Sequence, residues 1–163
     1  MKLNKILRNF FIVFIGFLMT LNLMASPALA STPIPLEDFG SFEVYANDES
    51  GVAVFDPSLH YGEYGDYFFD AEGVWQGGSA TPECDWCGDP NWESQYQMLY
   101  PEYDSFSLIV DCSSGLNYED CRTPEIPLFE DEKCVFKMND APGGYGDNTG
   151  FVTVHYQRNE LTV

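Results

Sequence analysis

Three oxygen-bearing side chains, Asp140, Asp147 and Asn148, fall in the stretch Asn-Asp-Ala-Pro-Gly-Gly-Tyr-Gly-Asp-Asn-Thr-Gly from Asn139 to Gly150. Its four glycines and one proline exclude a helix and permit sharp, left-handed backbone turns. Hard cations such as calcium take about six to eight oxygens, and a glycine-rich turn can aim backbone carbonyls inward while aspartate and asparagine supply the remainder. The chemistry points to calcium before it points to catalysis. The spacing is not that of an EF-hand, because there is no Asp-x-Asp-x-Asp-Gly run and no closing Glu, so distant parts of the chain must complete the site. The same residues also make an ordinary β-hairpin turn, and composition alone leaves the two readings level.

Around this stretch lie short segments that alternate apolar and polar residues, with no helical period. Ser41 to Ala46 and Val52 to Phe55 are expected strands, separated by the turn-prone Asn47-Asp48-Glu49-Ser50-Gly51. The clearest alternation runs from Asp66 to Trp75, where Tyr67, Phe69, Ala71, Gly73 and Trp75 share one face. Phe106 to Val110, Cys134 to Met138 and Phe151 to Tyr156 are β-rich and bounded by Gly, Pro, Asn or Asp. Several short strands with turn signals between them, and no repeated βαβ unit, predict an all-β fold, an antiparallel sandwich or jelly roll.

At the start of the chain, Lys2, Lys5 and Arg8 precede an apolar run from Phe10 to Met24, and Ala28-Leu29-Ala30 is a small-x-small cleavage pattern. Residues 1–30 read as a secretory signal peptide; a membrane anchor is the weaker alternative, because Asn22 interrupts the apolar part. Residues 31–40, with Thr-Pro-Ile-Pro-Leu, read as an extended leader. Residues 41–163 form one domain, in a mature chain too short for two. That chain carries four basic residues against 26 acidic ones, a formal charge of −22. A surface this anionic repels phosphate backbones and anionic headgroups, so neither nucleic acid nor, after signal cleavage, a membrane is expected as partner. Most of the carboxylates need no role beyond solubility.

Read in order, Met138 to Val154 resembles the C-terminal signature of the calcium-dependent galactophilic lectins of the Pseudomonas type. The strand ending Ala71-Glu72-Gly73-Val74-Trp75-Gln76-Gly77-Gly78 and the strand Phe106-Ser107-Leu108-Ile109-Val110 are similar to other parts of that family's layout, so the likeness spans roughly Gly51 to Tyr156. The resemblance implies calcium held by the side chains of Asp140, Asp147 and Asn148 and by the carbonyls of Gly144 and Gly77. It also implies a sugar that coordinates the ion through two hydroxyls, placing Asp140, Gly144 and Asp147 at the ligand. An exposed calcium with about five or six protein oxygens keeps open positions that a vicinal diol can fill. The chain departs from the family in lacking counterparts of the His and Gln that contact galactose, since His60 and His155 lie elsewhere; a galactose preference is therefore not implied. Asp at position 147, where the family has Asn, adds negative charge that favours the cation.

In place of those groups stands Ala80 to Asp104, with Trp86, Trp92, Tyr96, Tyr100 and Tyr103. Aromatics with polar tips offer apolar faces to sugar C–H groups, and Trp86 and Tyr100 are taken as expected sugar contacts; the same rings equally serve to bury a long loop. All five cysteines lie beyond the signal, where oxidation is expected. A local disulfide joins Cys84 and Cys87 in this reading, and Cys112 pairs with either Cys121 or Cys134; a zinc site built on Cys84, Cys87, Cys112 and Cys121 is the rarer alternative. The fifth cysteine is either buried and free or joins two chains, which leaves a homo-oligomer open. No nucleophile elbow, phosphate-cradling loop or metalloprotease motif is present, and no enzyme is expected. The sequence thus predicts a secreted or periplasmic protein that binds carbohydrate through Ca2+, the alternative being a calcium-stapled structural or adhesion sandwich with no sugar ligand.

Overall fold

The computed structural model describes residues 32–92, 96–123 and 125–159; the expected signal peptide lies outside them. Ten strands are described: β1 (Ile34–Pro35), β2 (Phe39–Tyr45), β3 (Val52–Phe55), β4 (Tyr64–Gln76), β5 (Glu83–Cys84), β6 (Leu108–Cys112), β7 (Asn117–Glu119), β8 (Glu125–Phe129), β9 (Cys134–Met138) and β10 (Thr149–Arg158). One sheet has the order β1-β3-β9-β6-β7, the other β2-β10-β4-β5, with β8 pairing the first part of β4. The fold is an all-β sandwich. Its described pairings are antiparallel except β1 with β3.

Alternation along β4 decides which face meets the other sheet. Tyr67, Phe69, Ala71 and Trp75 are buried, while Phe68, Asp70, Glu72 and Val74 point to solvent. In β10, Val152, Val154 and Tyr156 are buried and alternate with Phe151, Thr153, His155 and Gln157. From the facing sheet, Phe136 of β9 reaches across, its ring centroid 5.1 Å from Phe42 and 4.9 Å from Phe69. Burial of a ring that size contributes about 1.5–3 kcal/mol, so Phe136 is a principal clamp between the layers. Gly73 interrupts the β4 alternation with φ +117°, and a Cβ there would lie 2.8 Å from the Phe151 carbonyl oxygen.

Most expected strands are present with nearly the expected bounds, and those of β3 and β9 coincide. Residues 31–40 contribute more than a leader: Ile34 and Pro35 pair with Val54 and Phe55, Leu36 is buried, and its N–H donates to the Phe55 carbonyl at 2.8 Å. Proline is tolerated there because β1 is an edge strand, where a missing ladder donor costs little.

At the end of the sandwich where β4 begins and β10 finishes, Asp56 is buried as the acceptor of a polar cluster. It accepts from the Ser58 hydroxyl at 2.7 Å, the Ser58 N–H at 2.8 Å and the Tyr67 hydroxyl at 2.9 Å, and from Arg158. Burial alone would raise the carboxyl pKa; the Ser58 and Tyr67 hydrogen bonds and the Arg158 charge outweigh it and hold it below the usual carboxylate value. Burial, followed by donation to Asp56, pushes the Tyr67 hydroxyl up. A depressed folded-state pKa means stability that is fully present above the unfolded value, about 3.9, and lost as pH falls through the folded value. Asp56→Asn should therefore lower stability at pH 7 and flatten the acid limb of the stability profile. Urea midpoints of both proteins from pH 7 down to pH 2 check this, and parallel profiles would contradict it.

Candidate functional site

The glycine-rich stretch links β9 to β10 and holds one turn of 3-10 helix at Tyr145–Asp147. Tyr145 roots it: the ring is buried, its hydroxyl donates to the Met138 carbonyl at 2.7 Å, and burial, ahead of nearby Asp140 and Glu49, pushes the phenol pKa up to about 12. Gly143 turns with φ +77°, and its N–H donates to Glu49, brought by the turn between β2 and β3, at 3.1 Å. The stretch is not the β-hairpin turn that its composition also allowed, because β9 and β10 belong to different sheets; it is a connection tied to both.

Asp140 is only 7 % exposed and Asn148 only 4 %. Asp140 accepts from the Ala141 N–H at 2.7 Å and from the Asn148 amide at 2.9 Å; that amide also donates to the Ala46 carbonyl at 3.1 Å. The other end of the Asn148 carboxamide, Oδ1, is buried and has no hydrogen-bond partner. Leaving such an acceptor unmade costs about 1–3 kcal/mol. Asp147 is exposed on the far side of the short helix, and its carboxylate approaches the loop that leaves β4: a Cβ on Gly78 would lie 3.0 Å from Asp147 Oδ2. A Cβ on Gly144 would lie 3.2 and 3.3 Å from the two Asp140 oxygens. Glycine at 78 and 144 lets backbone and carboxylates crowd together.

These groups open onto one cleft of about 750 Å³, lined by Gly77, Asp140, Gly144 and Asp147 together with Trp92, Tyr96 and Phe106. Asn148 does not line it. Four of the five residues expected at a metal thus line one cavity; the fifth, Asn148, turns its amide nitrogen to Asp140 and carries a buried oxygen without a partner. The donor set of two carboxylates, one amide oxygen and backbone carbonyls is all oxygen, which suits a hard cation and not a soft one. The residues present therefore fit calcium. Phe106 floors the cleft in the left-handed region, with φ +65°. This is a rare conformation for a bulky residue, costing about 1–3 kcal/mol. Its ring occupies the space beside Gly77, where a Cβ would meet it at 2.0 Å.

The expected sugar contacts Trp86 and Tyr100 lie away from the cleft. Tyr100 is 9 % exposed; its hydroxyl donates to Asp111 at 2.6 Å, and burial, followed by this bond, raises its pKa. Trp86 packs against the core, and its carbonyl accepts the Leu108 N–H at 2.8 Å. Trp92 and Tyr96, from the same aromatic segment, take the cleft positions instead. In an irregular loop no periodicity says which rings face inward, so sequence spacing could not separate the two pairs.

The cysteines pair differently from the expected local bridge. Cys87 is bonded to Cys121 across 34 residues, Cys112 to Cys134, and Cys84 is free. Cys112 and Cys134 sit opposite one another on β6 and β9, so sheet register chooses between the two partners left open for Cys112. Cys84 is held in register with Trp75 in β5, with its sulfur 3.9 Å from the Trp75 carbonyl oxygen, while Cys87 is bonded to Cys121. With Cys87, Cys112 and Cys121 bonded, the zinc alternative is ruled out, and the cluster of Cys112, Glu132 and Cys134 has its two sulfurs bonded to each other.

No family model matches this chain, and none of the curated proteins matches it. Among solved structures it is similar to the EclA N-terminal domain, described as a PllA-like lectin, with a TM-score of 0.50 and 20 % identity over 76 % of this chain and 100 % of that one. That likeness shows a lectin-like fold. It assigns no ligand.

The bridge between Cys87 and Cys121 is directly checkable, because Cys84 is partly buried and burial, with Asp85 and Asp89, lifts its thiol to about 11. Peptide mapping of the non-reduced protein should recover Cys87 linked to Cys121. An alkylating reagent at pH 7.5 should label Cys84 only slowly until denaturant is added. Recovery of a linked Cys84 and Cys87 would contradict this arrangement.

Proposed function

We propose that this protein binds carbohydrate through a calcium ion held at the mouth of the cleft, in a chain that a signal peptide sends out of the cytoplasm. The ligands in this reading are the carboxylates of Asp140 and Asp147, Asn148 Oδ1, and the carbonyls of Gly77 and Gly144. When bound, calcium would supply open coordination positions for two neighbouring hydroxyls of a sugar. The chain's own contribution is to assemble oxygens from two segments far apart in sequence and to hold Asp140 nearly dry, where its charge is least screened. Asp147, at the rim, adds charge on the solvent side. Tyr145 and Glu49 keep the connection in shape.

One observation carries the reading: the buried Asn148 oxygen lacks a partner and belongs to an amide hydrogen-bonded to Asp140, which lines the same cleft as Asp147. A purely structural connection would be better served by satisfying that oxygen. The lectin-like fold supports the choice of carbohydrate over other polyols. The strongly acidic composition is compatible with a cationic cofactor and a neutral ligand.

Chelation with EDTA should lower the melting temperature by several degrees, and re-addition of calcium should restore it, because ligand bound only to the native state stabilises it by mass action. Asp140→Ala should abolish that response. A glycan array probed in calcium and in EDTA then separates the two uses of the ion. Binding seen only with calcium supports the carbohydrate reading; a calcium-dependent melt with no glycan bound would favour the stapled scaffold, and a melt indifferent to chelator would remove the ion from the account.

A further inference from the structure

The sheet that contains β2, β10 and β4 has a second face, turned away from the core. Most of the large hydrophobic side chains that the described residues expose stand on it. Strand register sets them in rows. Tyr45, Phe151 and Val74 form one row, with the Tyr45 and Phe151 ring centroids 5.4 Å apart. Phe39 and Phe68 form another, on either side of Gln157, and Phe39 is 76 % exposed. Beyond it Tyr64 of β4 pairs with Phe129 of β8, their ring centroids 6.0 Å apart. Single exposed apolar residues need no explanation, but aromatic rows gathered on one sheet face mark a surface that meets a partner.

Between the aromatic rows the same face is acidic. Glu43 and Glu72 flank Thr153 in the row next to Tyr45, and Asp70 follows beside His155. Glu125 extends the row of Phe39 and Phe68. All four carboxylates belong to exposed residues. Among the described residues that β2, β10, β4 and β8 turn to this face there is no lysine or arginine; His155, 3.4 Å from Glu72, is the one group able to carry positive charge. That pattern selects the occupant. A second copy would set acid against acid, and nucleic acid or an anionic membrane is repelled for the same reason. A basic surface that carries apolar side chains is complementary on both counts: the carboxylates take its cationic groups, and the rings take its apolar groups and the faces of its cations.

We propose that this face docks a basic protein segment whose cationic side chains lie between apolar ones. Spacing makes the fit specific. Side chains on one face of a strand repeat about every 6.8 Å. The row of Phe151 and the row of Phe39 and Phe68 therefore lie three steps, about 20 Å, apart, with the acidic residues between them. An extended partner of the same period meets them with an apolar, two basic and again an apolar side chain at alternate positions. None of the residues involved lines the cleft, so the docking face is independent of the cation-centred reading and goes beyond it.

A heptapeptide with tyrosine at both ends, lysine at its third and fifth positions and serine elsewhere tests the proposal, titrated into isotope-labelled protein while backbone amide shifts are followed by NMR. Saturable shifts should centre on Glu43, Thr153 and Glu72, in calcium and in EDTA alike. Replacing the lysines by glutamate, or the tyrosines by serine, should weaken binding at least about fivefold. Glu72→Gln and Phe39→Ser should each weaken it about threefold to tenfold, whereas Glu102→Gln, which removes the same charge from an exposed position between β5 and β6, should change it less than about twofold. Melting curves report that the variants are folded, as expected at exposed positions. If Glu102→Gln weakens binding as much as Glu72→Gln does, the attraction is that of net charge alone and the proposal fails. Shifts on this face caused by cellohexaose and not by the peptide assign it to a glycan. Dimerisation in sedimentation velocity that Phe39→Ser abolishes, without a peptide response, assigns it to a second copy. Either result overturns the proposal, as does a peptide that shifts no amide of this face.

Discussion

A carboxylate and an amide oxygen lie nearly out of water where β9 hands over to β10, and much of the surrounding structure makes sense as support for them. Burying charge is unfavourable unless it is paired or coordinated. Asp140 has two N–H donors, from Ala141 and Asn148, and no basic side chain is paired with it among the described residues. Asn148 spends its amide hydrogens on Ala46 and Asp140 and leaves its oxygen without a partner. The arrangement is electrostatically incomplete by itself. In the reading proposed above, a divalent cation would supply the positive charge that Asp140 lacks.

The sandwich sets the terms on which that connection can exist. Because β10 lies between β2 and β4, and β9 between β3 and β6, the two strands that flank the stretch belong to different sheets, and the connection must bridge the end of the sandwich. The same end receives the loop leaving β4, which is how Gly78 comes to lie against Asp147. A second support comes from the segment between β5 and β6. Asn139 satisfies backbone groups there, the bridge of Cys87 to Cys121 ties down one flank, and Arg122 links Asp104 at 2.6 Å to Glu119 at 2.7 Å on the other. Several backbone groups of the described part of that segment, which an irregular loop would leave exposed, are paired in this way.

What the sequence made legible follows from where its signals are periodic. The alternation of β4, and the bounded runs of β3 and β9, were readable because one face of each strand meets a core that accepts only apolar residues. The expected strand from Phe106 begins two residues later, at Leu108, because Phe106 takes a left-handed backbone to floor the cleft. Residues 31–40 had no alternation to declare them, and only pairing with β3 shows that they hold a strand. The run from Asp140 to Asn148 could be picked out because glycine and carboxylate spacing are local properties, and Asp140, Gly144 and Asp147 of that run line one cleft. The partner of Cys87 and the choice of Trp92 and Tyr96 over Trp86 and Tyr100 were not legible, because each depends on the path of an aperiodic loop across the end of the sandwich.

The claim on which the account turns is that a cation bridges Asp140, Asp147 and Asn148. Crystals of the protein grown with calcium, and an anomalous difference map collected from them, address it most directly. The account predicts one peak per chain, with both carboxylates and Asn148 Oδ1 at about 2.3–2.6 Å from it and the carbonyls of Gly77 and Gly144 completing the shell. A map with no peak in the cleft, at calcium concentrations that saturate any solution response, or an Asn148 oxygen found hydrogen-bonded to protein instead, would contradict it.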